Sequence, residues 1–198
     1  MKYMSLPHKV RVRSKYPEFT LSYRKAINPN TMSFKWADYD RIELGMDYSL
    51  RLKRLGNSNL MAKAGKFLNT ENMIFADFKH FDANQYHIGL YNTTGFNVLP
   101  FYSIYSLDYY LEAQYRHNFR RYIFNKLPLL RKTKWSEEIG FGIAYTELSN
   151  PYMEFSFTIN EIFGFFSLSY TYGYRNNDMK IHGVKLSLGS DAIRFISE

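Results

Sequence analysis

Residues 153–160 read MEFSFTIN, and residues 166–175 read FSLSYTYGYR. In both segments every second residue is apolar or aromatic, and the residues between them are mostly small or polar. Successive side chains of a β-strand point to opposite faces, so each segment predicts a strand with one apolar face and one polar face. Residues 109–119 and 135–146 show the same alternation, and residues 180–189 form the last predicted strand. The stretch 109–189 therefore predicts a run of antiparallel strands.

The composition of the two faces indicates which kind of β-protein this is. In a soluble sandwich the polar face is solvated and usually rich in Lys, Glu and Thr. Here that face is small and uncharged in places, as at Gly140, Gly142 and Ala144, while the apolar face is aromatic with Tyr and Trp towards the segment ends. A lipid-facing apolar belt, aromatic girdles and a polar interior are typical of membrane barrels. We therefore predict an all-β fold, an antiparallel transmembrane β-barrel.

The first half of the chain predicts further strands at residues 18–26, 39–53 and 59–67, after a short basic strand or lead-in at 8–16. At 3.3 Å per residue the strand 39–53 would run for about 50 Å, which suits a tilted barrel strand that protrudes past the membrane. Residues 75–81 and 85–91 are ambiguous, and 96–107 predicts an ordered loop packed inside the protein. Turns are predicted at 27–30, 55–58, 149–151, 161–162 and 176–178, with an apolar connection between basic flanks at 125–132.

Strand parity divides the side chains of the predicted barrel into two sets. The charged set, predicted to face the lumen, consists of Arg41, Glu43, Asp47, Arg51, Glu112, Arg116, Glu138, Glu154 and Lys185. The apolar set, predicted to face lipid, consists of Leu44, Met46, Leu111, Phe141, Ile143, Phe155, Phe157, Leu168 and Tyr170. We expect the charged set to form compensating ion pairs that fix the barrel shape, with a substrate path as the alternative. Glu137 falls on the lipid side and is predicted at the membrane edge.

The composition indicates which classes of partner the protein is expected to contact. The net charge is +8 with a pI near 9.4, but no nucleic-acid-binding motif is present, so lipid headgroups rather than nucleic acid are the expected anionic contact. Cysteine is absent, which excludes disulfides and thiolate metal sites. The sequence contains no run of about 18 apolar residues, so no membrane-spanning helix is predicted. A membrane-spanning β-strand needs only about 9–11 residues. The first residues lack the signal peptide that an outer-membrane protein must have, so either the chain is a piece of a longer protein or the membrane interpretation is wrong.

Candidate catalytic and metal-ligating residues form no convincing pattern. The histidines His8, His80, His87, His117 and His182 are not paired at strand or helix spacing, so no metal and no cofactor is predicted, and His117 is predicted at the membrane interface. A lipid-modifying barrel enzyme needs a serine and a histidine together, and Ser167, Ser169, Ser187 and His182 show no such spacing. We predict a non-enzymatic protein, with that enzyme and a soluble lipid-binding barrel or sandwich as alternatives. Gly140, Gly142 and Gly173 are predicted to allow curvature or close packing of the wall.

The sequence resembles a known barrel family over residues 15–189. The segments that carry the resemblance are YPEFTLSY at 16–23, FNVLPFY at 96–102, YYLEAQYRHNF at 109–119, NKLPLLRKTKW at 125–135 and GVKLSLG at 183–189. They resemble the C-terminal barrel of the bacterial surface antigen family, the outer-membrane assembly-factor superfamily. The closest likeness is to the variant with an N-terminal carboxypeptidase-like regulatory domain.

This resemblance implies a barrel of about sixteen strands, of which the chain supplies the C-terminal half, about 8–10 strands. Residues 1–189 would form the partial barrel and residues 190–198 a polar tail. It also implies the Gram-negative outer membrane, with outer-membrane lipid, other envelope proteins and the N-terminal part of its own barrel as partners. The implied function is to assist outer-membrane protein assembly or transport. The superfamily carries an Arg-Gly-Phe motif in a loop that folds into the lumen; the comparable residues here are Thr94, Gly95 and Phe96.

Overall fold

The computed structural model describes residues 2–5, 9–12, 15–26, 37–85, 87–90, 94–176 and 179–188. Its strands are β1 Lys2–Ser5, β2 Lys9–Val12, β3 Glu18–Lys25, β4 Asp38–Arg51, β5 Asn57–Asn72, β6 Lys79–His80, β7 Ile88–Leu90, β8 Tyr105–Ser106, β9 Tyr109–Asn118, β10 Ser136–Thr146, β11 Ser149–Ile162, β12 Phe166–Arg175 and β13 Met179–Leu188. Short 3-10 turns lie at Lys53–Leu55, Phe75–Asp77, Phe124–Lys126 and Leu130–Lys132. Across these ranges no helix has the length and apolar character needed to cross a membrane.

One large sheet organises the molecule. Its strands lie in the order β3-β4-β5-β9-β10-β11-β12-β13-β7, and all neighbours are antiparallel except β13 and β7, which run parallel. Strands β1 and β2 form one small separate sheet, and β6 and β8 form another. The predicted all-β class, with a mainly antiparallel sheet, is therefore confirmed.

The apolar face of this sheet is its exposed face. The side chains of Leu44 and Tyr170 are each 51% exposed and that of Phe155 is 54% exposed, whereas on the opposite face Glu112 is 0% and Thr171 is 1% exposed. A soluble sandwich with an aromatic interior requires the reverse orientation, with the rings buried. The period-2 alternation thus places apolar side chains on the exposed face of the sheet and polar side chains on the buried face. This is the arrangement that the sequence pattern predicts for these strands.

A long connection covers the polar face. Residues 73–108, which we call the covering segment, join β5 to β9 and bury Phe81, Phe96 and Leu99 against Tyr110 and Tyr152 of the sheet. The prediction of an ordered loop packed inside the protein at residues 96–107 is confirmed in part: Phe96, Leu99 and Ile104 are buried, whereas Phe101 and Tyr102 are exposed. Residues Tyr105–Ser106 form the short strand β8. In the described residues of the two ambiguous stretches, the regular structure consists of the 3-10 turn Phe75–Asp77 and the strands β6 and β7.

Glycines on the polar face make room for the covering segment. A β-carbon at Gly142 would lie 3.0 Å from the ring of Phe96, and one at Gly183 would lie 2.9 Å from Val98. A β-carbon at Gly173 would meet both Val98 and the hydroxyl of Tyr152. Only glycine, which has no β-carbon, permits this close approach. The prediction that Gly142 and Gly173 allow close packing is therefore confirmed.

Most strand boundaries agree with the sequence pattern, and β12 agrees at both ends. The predicted turn at 161–162 is wrong, because β11 continues to Ile162 and the turn lies at 163–165. The predicted turn at 149–151 is also wrong, because β11 already begins at Ser149 and the turn lies at 147–148. Pro151 is tolerated there because the ladder between β10 and β11 shifts register at that point, where a backbone N–H is not needed. The predicted turn 27–30, the tail 190–198 and residues 177–178 of another turn lie outside the described residues.

We expect Gly173→Ala to lower the free energy of unfolding by about 1–3 kcal/mol, the usual cost of overpacking, because the new methyl group would displace Tyr152 or Val98. Gly45→Ala is the matched control, since it lies on the same face of the sheet and a β-carbon there would have no neighbour nearer than 3.7 Å. Thermal unfolding of the purified protein in detergent measures both. Equal midpoints for the two variants would contradict the packing described here.

Candidate functional site

Glu154 is the main contact between the polar face and the covering segment. Its carboxylate is buried and accepts hydrogen bonds from three consecutive backbone N–H groups: Asn97 at 2.7 Å, Val98 at 2.9 Å and Leu99 at 3.0 Å. The hydroxyl of Tyr152 donates a fourth, at 2.7 Å. Hydrogen bonds to an ionised group are the stronger kind, so this carboxylate holds residues 97–99 firmly against β11.

The chain reaches this position through a tight turn at Gly95. Gly95 has φ of +87°, and a β-carbon there would lie 2.9 Å from the carbonyl oxygen of Asp82. Phe96 N donates to Asp82 O at 2.8 Å, and Asn84 N donates to Phe96 O at 2.7 Å. The turn thereby places Phe96 on the sheet and leaves the following N–H groups aligned towards Glu154.

Glu147 holds the end of the covering segment. It lies in the turn between β10 and β11 and accepts hydrogen bonds from Leu107 N at 2.6 Å, Asp108 N at 3.0 Å and Ser106 Oγ at 2.7 Å. Burial alone raises the pKa of this carboxyl, but these hydrogen bonds outweigh burial and hold its pKa below the ordinary value of 4.5. The carboxylate form is therefore the one that fits this contact.

Ion pairs join other charged side chains of the polar face. Lys79 of the covering segment lies 3.8 Å from Glu112, which is completely buried, and its ammonium also lies 5.1 Å from the ring centre of Tyr110. Arg116 lies 3.8 Å from Glu138 on the neighbouring strand. Buried charges of this kind need compensating partners, and here the segment and the sheet each provide some.

The remaining members of the predicted charged set lie on the same face but differ in environment. Glu43 accepts a hydrogen bond from the hydroxyl of Tyr110, and the guanidinium of Arg41 lies 5.8 Å from the ring centre of Phe67. Lys185 donates to the carbonyl of Asn84 at 3.5 Å. Asp47 and Arg51 are exposed. Their end of β4 borders a polar cavity of about 250 Å³ lined in part by Asp47, Ser49, Asn59, Thr94, Gln114 and Arg116.

The predicted apolar set lies together on the opposite, exposed side of the sheet. Leu44, Leu111, Phe155, Phe157, Leu168 and Tyr170 are exposed, and Met46, Phe141 and Ile143 are partly covered by their neighbours. The rings of Phe141 and Phe155 lie 5.0 Å apart across adjacent strands. This side of the sheet is a continuous apolar surface.

Two residues of this side are buried at the ends of their strands, and their predicted positions relative to a membrane stay predictions. The side chain of Glu137 is 0% exposed, and its carboxylate accepts a hydrogen bond from Ile123 N at 2.6 Å because the connection between β9 and β10 folds over it. His117 is also buried. Its ring contacts Ser58 Oγ at 2.8 Å and the carbonyl of Leu55 at 3.0 Å, so it joins β9 to the β4–β5 hairpin.

The structure does not bring together the four residues considered for a lipid-modifying enzyme, Ser167, Ser169, Ser187 and His182. Ser167, Ser169 and Ser187 are buried on the polar face, whereas His182 lies exposed on the opposite face of β13. Ser169 instead lies 2.8 Å from the hydroxyl of Thr158. Within the described ranges, no group of three or more His, Asp or Glu side chains is placed to hold a metal ion.

A comparison with protein families identifies the chain. Residues 1–159 match the model described as "Family of unknown function (DUF5686) C-terminal domain". The chain belongs to this family. No curated protein and no solved structure matches it. The match to the DUF5686 C-terminal domain covers β1 to β10 and most of β11, and thus includes the covering segment and Glu154.

Glu154 and Glu147 give this DUF5686 domain a segment whose backbone N–H groups are held by carboxylates, in addition to the packing of Phe81, Phe96 and Leu99 on the sheet. The sequence pattern placed Glu154 on the correct face but not its partners, because backbone N–H groups leave no signal in a side-chain pattern. The arrangement closes the polar face around residues 94–108 and leaves a polar cavity beside it.

We expect Glu154→Ala to loosen residues 97–99, because three backbone N–H groups and the Tyr152 hydroxyl lose their acceptor, at about 1–3 kcal/mol for each buried group left unpaired. Amide hydrogen exchange of these residues should become faster by at least tenfold. Glu161→Ala, an exposed position on the same strand, is the control and should leave the exchange unchanged. Unchanged exchange in the Glu154 variant would show that the carboxylate does not hold the segment.

We expect the contact at Glu147 to depend on pH. Its folded pKa is lowered, so the stabilisation is present above the ordinary value of 4.5 and is lost as the pH falls through the folded pKa. Exchange of the Leu107 and Asp108 amides should therefore be slow at neutral pH, after correction for intrinsic rates, and should lose protection in acid. Glu147→Gln should remove this pH dependence, and Glu71→Gln, at an exposed position on β5, should keep it. The same acid profile in both variants would exclude Glu147 as the cause.

Proposed function

We propose that the chain forms part of an antiparallel β-barrel in the outer membrane of a Gram-negative bacterium, as the C-terminal half of a larger barrel. The observation that carries the proposal is the inverted polarity of the main sheet, with aromatic and aliphatic side chains exposed and charged side chains buried. A soluble monomer rarely exposes a continuous apolar surface of this size, whereas hydrocarbon favours it. The exposed set from Leu44 to Tyr170 would contact lipid.

Strand length and order support the same proposal. Strands β4, β5 and β11 contain 14, 16 and 14 residues, and β9, β12 and β13 contain 10 each. A spanning barrel strand needs about 9–11 residues. The strands follow one another as antiparallel neighbours, as barrel strands do. In the described part of the chain the outer edge of β3 has no partner strand, so strands from the N-terminal part of the protein would pair there.

The role that this architecture supports best is a non-enzymatic one, in which the protein assists assembly or transport of outer-membrane proteins. The support is the resemblance to surface-antigen barrels together with a covering segment that occupies the polar face near Thr94, Gly95 and Phe96. The motif of the surface-antigen superfamily has Arg where this chain has Thr94; in this chain the amides of residues 97–99, held by Glu154, make the contact between the segment and the sheet. Outer-membrane lipid, other envelope proteins and the N-terminal part of the barrel are the proposed partners.

Site-directed labelling tests the membrane location directly, because the 198 residues contain no cysteine and an introduced thiol is therefore unique within this part of the protein. In membranes that contain the full-length protein, Phe157→Cys and Tyr170→Cys should react with a maleimide dissolved in the bilayer and should resist a charged, water-soluble maleimide. Ser156→Cys and Thr171→Cys are matched neighbours on the polar face, and they should not react with the bilayer reagent. The wild-type chain, without a thiol, controls for background.

Two results would overturn the proposal. One is reaction of Phe157→Cys with the water-soluble reagent at the rate of a free thiol. The other is recovery of the full-length protein in the aqueous fraction after phase separation with detergent. Retention in the detergent phase with the bilayer-labelling pattern above would support it.

A further inference from the structure

The connection between β9 and β10 is basic and carries no acidic residue. Residues 119–135, which we call the basic connection, read FRRYIFNKLPLLRKTKW. Its basic residues are Arg120, Arg121, Lys126, Arg131, Lys132 and Lys134. The neighbouring turn Lys53–Leu55 adds two more cations at the same end of the sheet, since β9 pairs with β5 there. Nothing in the proposed barrel role accounts for this concentration of positive charge.

The basic connection folds back over the apolar side of the sheet. The chain reverses at Arg120 and Arg121, which both have positive φ, and Phe119 N then donates to the backbone carbonyl of Glu137 at 2.9 Å. Ile123 N donates to the Glu137 carboxylate at 2.6 Å. Glu137 shares its face of β10 with Ile139, which is exposed with the apolar set. The connection therefore lies beside the apolar surface and not over the polar face.

Its side chains separate into an attached part and an exposed part. Phe124 is buried, and the guanidinium of Arg121 donates to the carbonyls of Arg131 and Thr133, which fixes the loop internally. Leu129 is 86% exposed, the highest exposure among the large apolar side chains of the described residues. Tyr122, Ile123 and Leu127 are exposed as well, and so are Arg120, Lys126, Arg131, Lys132 and Lys134. Apolar side chains and cations are thus exposed along the same connection, and the ammonium of Lys126 lies 4.3 Å from the ring centre of Tyr122.

We infer that the basic connection docks on anionic phospholipid headgroups at the edge of the bilayer, an inference that rests on the proposed membrane location. Leu129 and its apolar neighbours would enter the headgroup boundary, as in interfacial segments with one apolar and one basic face. The lysine and arginine side chains can extend their charged ends to lipid phosphates while their stems lie on apolar surface. The burial of Glu137 removes the acidic group that would otherwise repel those phosphates.

The position of the connection selects phospholipid as the occupant. The longest connection of the described sheet, the covering segment, leaves from the opposite end of the strands, next to the β10–β11 turn. Barrels carry longer loops on the extracellular side and shorter turns on the periplasmic side. The basic connection would therefore face the periplasmic leaflet, where phospholipids supply the anionic groups.

A fluorescent probe on Asn125→Cys tests the inference, since Asn125 is an exposed, uncharged residue within the connection and the chain has no other cysteine. The full-length labelled protein is reconstituted into vesicles of phosphatidylcholine alone or with added phosphatidylglycerol. We expect a blue shift of the probe that grows with phosphatidylglycerol content and reverses as salt is added. A basic residue near an anionic surface contributes about 1 kcal/mol to binding, or roughly fivefold in affinity. Removing three lysines should therefore steeply raise the phosphatidylglycerol content needed to produce the shift.

Matched charge variants separate docking from net charge. Lys126→Gln/Lys132→Gln/Lys134→Gln should abolish most of the shift. Lys25→Gln/Lys66→Gln/Lys180→Gln removes the same charge from exposed lysines at the other end of the strands and should preserve it. Equal effects of the two triple variants, or a shift insensitive to phosphatidylglycerol, would overturn the inference. So would a shift seen only with lipid A, or one produced by dimerisation in nonionic detergent without any anionic lipid.

The bilayer labelling of Phe157→Cys and Tyr170→Cys in the same vesicles separates the two levels of the proposal. Failure of that labelling counts against the membrane location itself. Normal labelling with an unresponsive Asn125 probe counts against the headgroup contact alone.

Discussion

Carboxylates buried on the polar face of the sheet must find donors, and the covering segment provides them. A buried ionised carboxylate without partners costs several kcal/mol, far more than a surface contact gains. Glu154 receives three N–H groups, and Lys79 lies near the buried carboxylate of Glu112. Glu147, partly buried in the β10–β11 turn beside this face, receives two N–H groups of the same segment. The segment itself has little regular structure, so its own N–H groups need acceptors. Each part satisfies groups that the other leaves open, and neither would be stable in this form alone.

The same constraint explains the division of side chains between the two faces. With charges directed towards the covering segment, the alternating apolar residues can only point the other way. The small residues of the polar face then set how closely the segment approaches, as Gly142 does for Phe96 and Gly183 for Val98. Larger residues at these positions would lift the loop amides away from Glu154. Close packing and hydrogen bonding in this region therefore depend on each other.

The strands could be predicted from the sequence because their signal is local. A period of two over eight or more residues, as in β4 and β12, specifies a strand and its two faces without knowledge of its neighbours. Glu137 and His117 lie on the face that this parity predicts, yet both are buried. The β9–β10 connection covers Glu137 and the β4–β5 hairpin covers His117, and the alternation within one strand does not indicate either contact. The partners of Glu154 lie 55 to 57 residues earlier in the chain. Contacts of that kind arise from tertiary packing, so no window of sequence contains them.

The short parallel strand β7 has a consequence for how the sheet can be extended. Leu186 N donates to the carbonyl of His87 at 2.7 Å, and the His87 ring lies 3.1 Å from the carbonyl oxygen of Val184. The free side of β13 is thus already in use from Val184 to its end. Among the described residues, the part of β13 that has no partner on this edge runs from Met179 to Gly183, and a further strand would join there unless β7 were first displaced. With β7 in place, a neighbouring strand can pair with about half of β13. The position of β7 therefore fixes the register at which that strand must join.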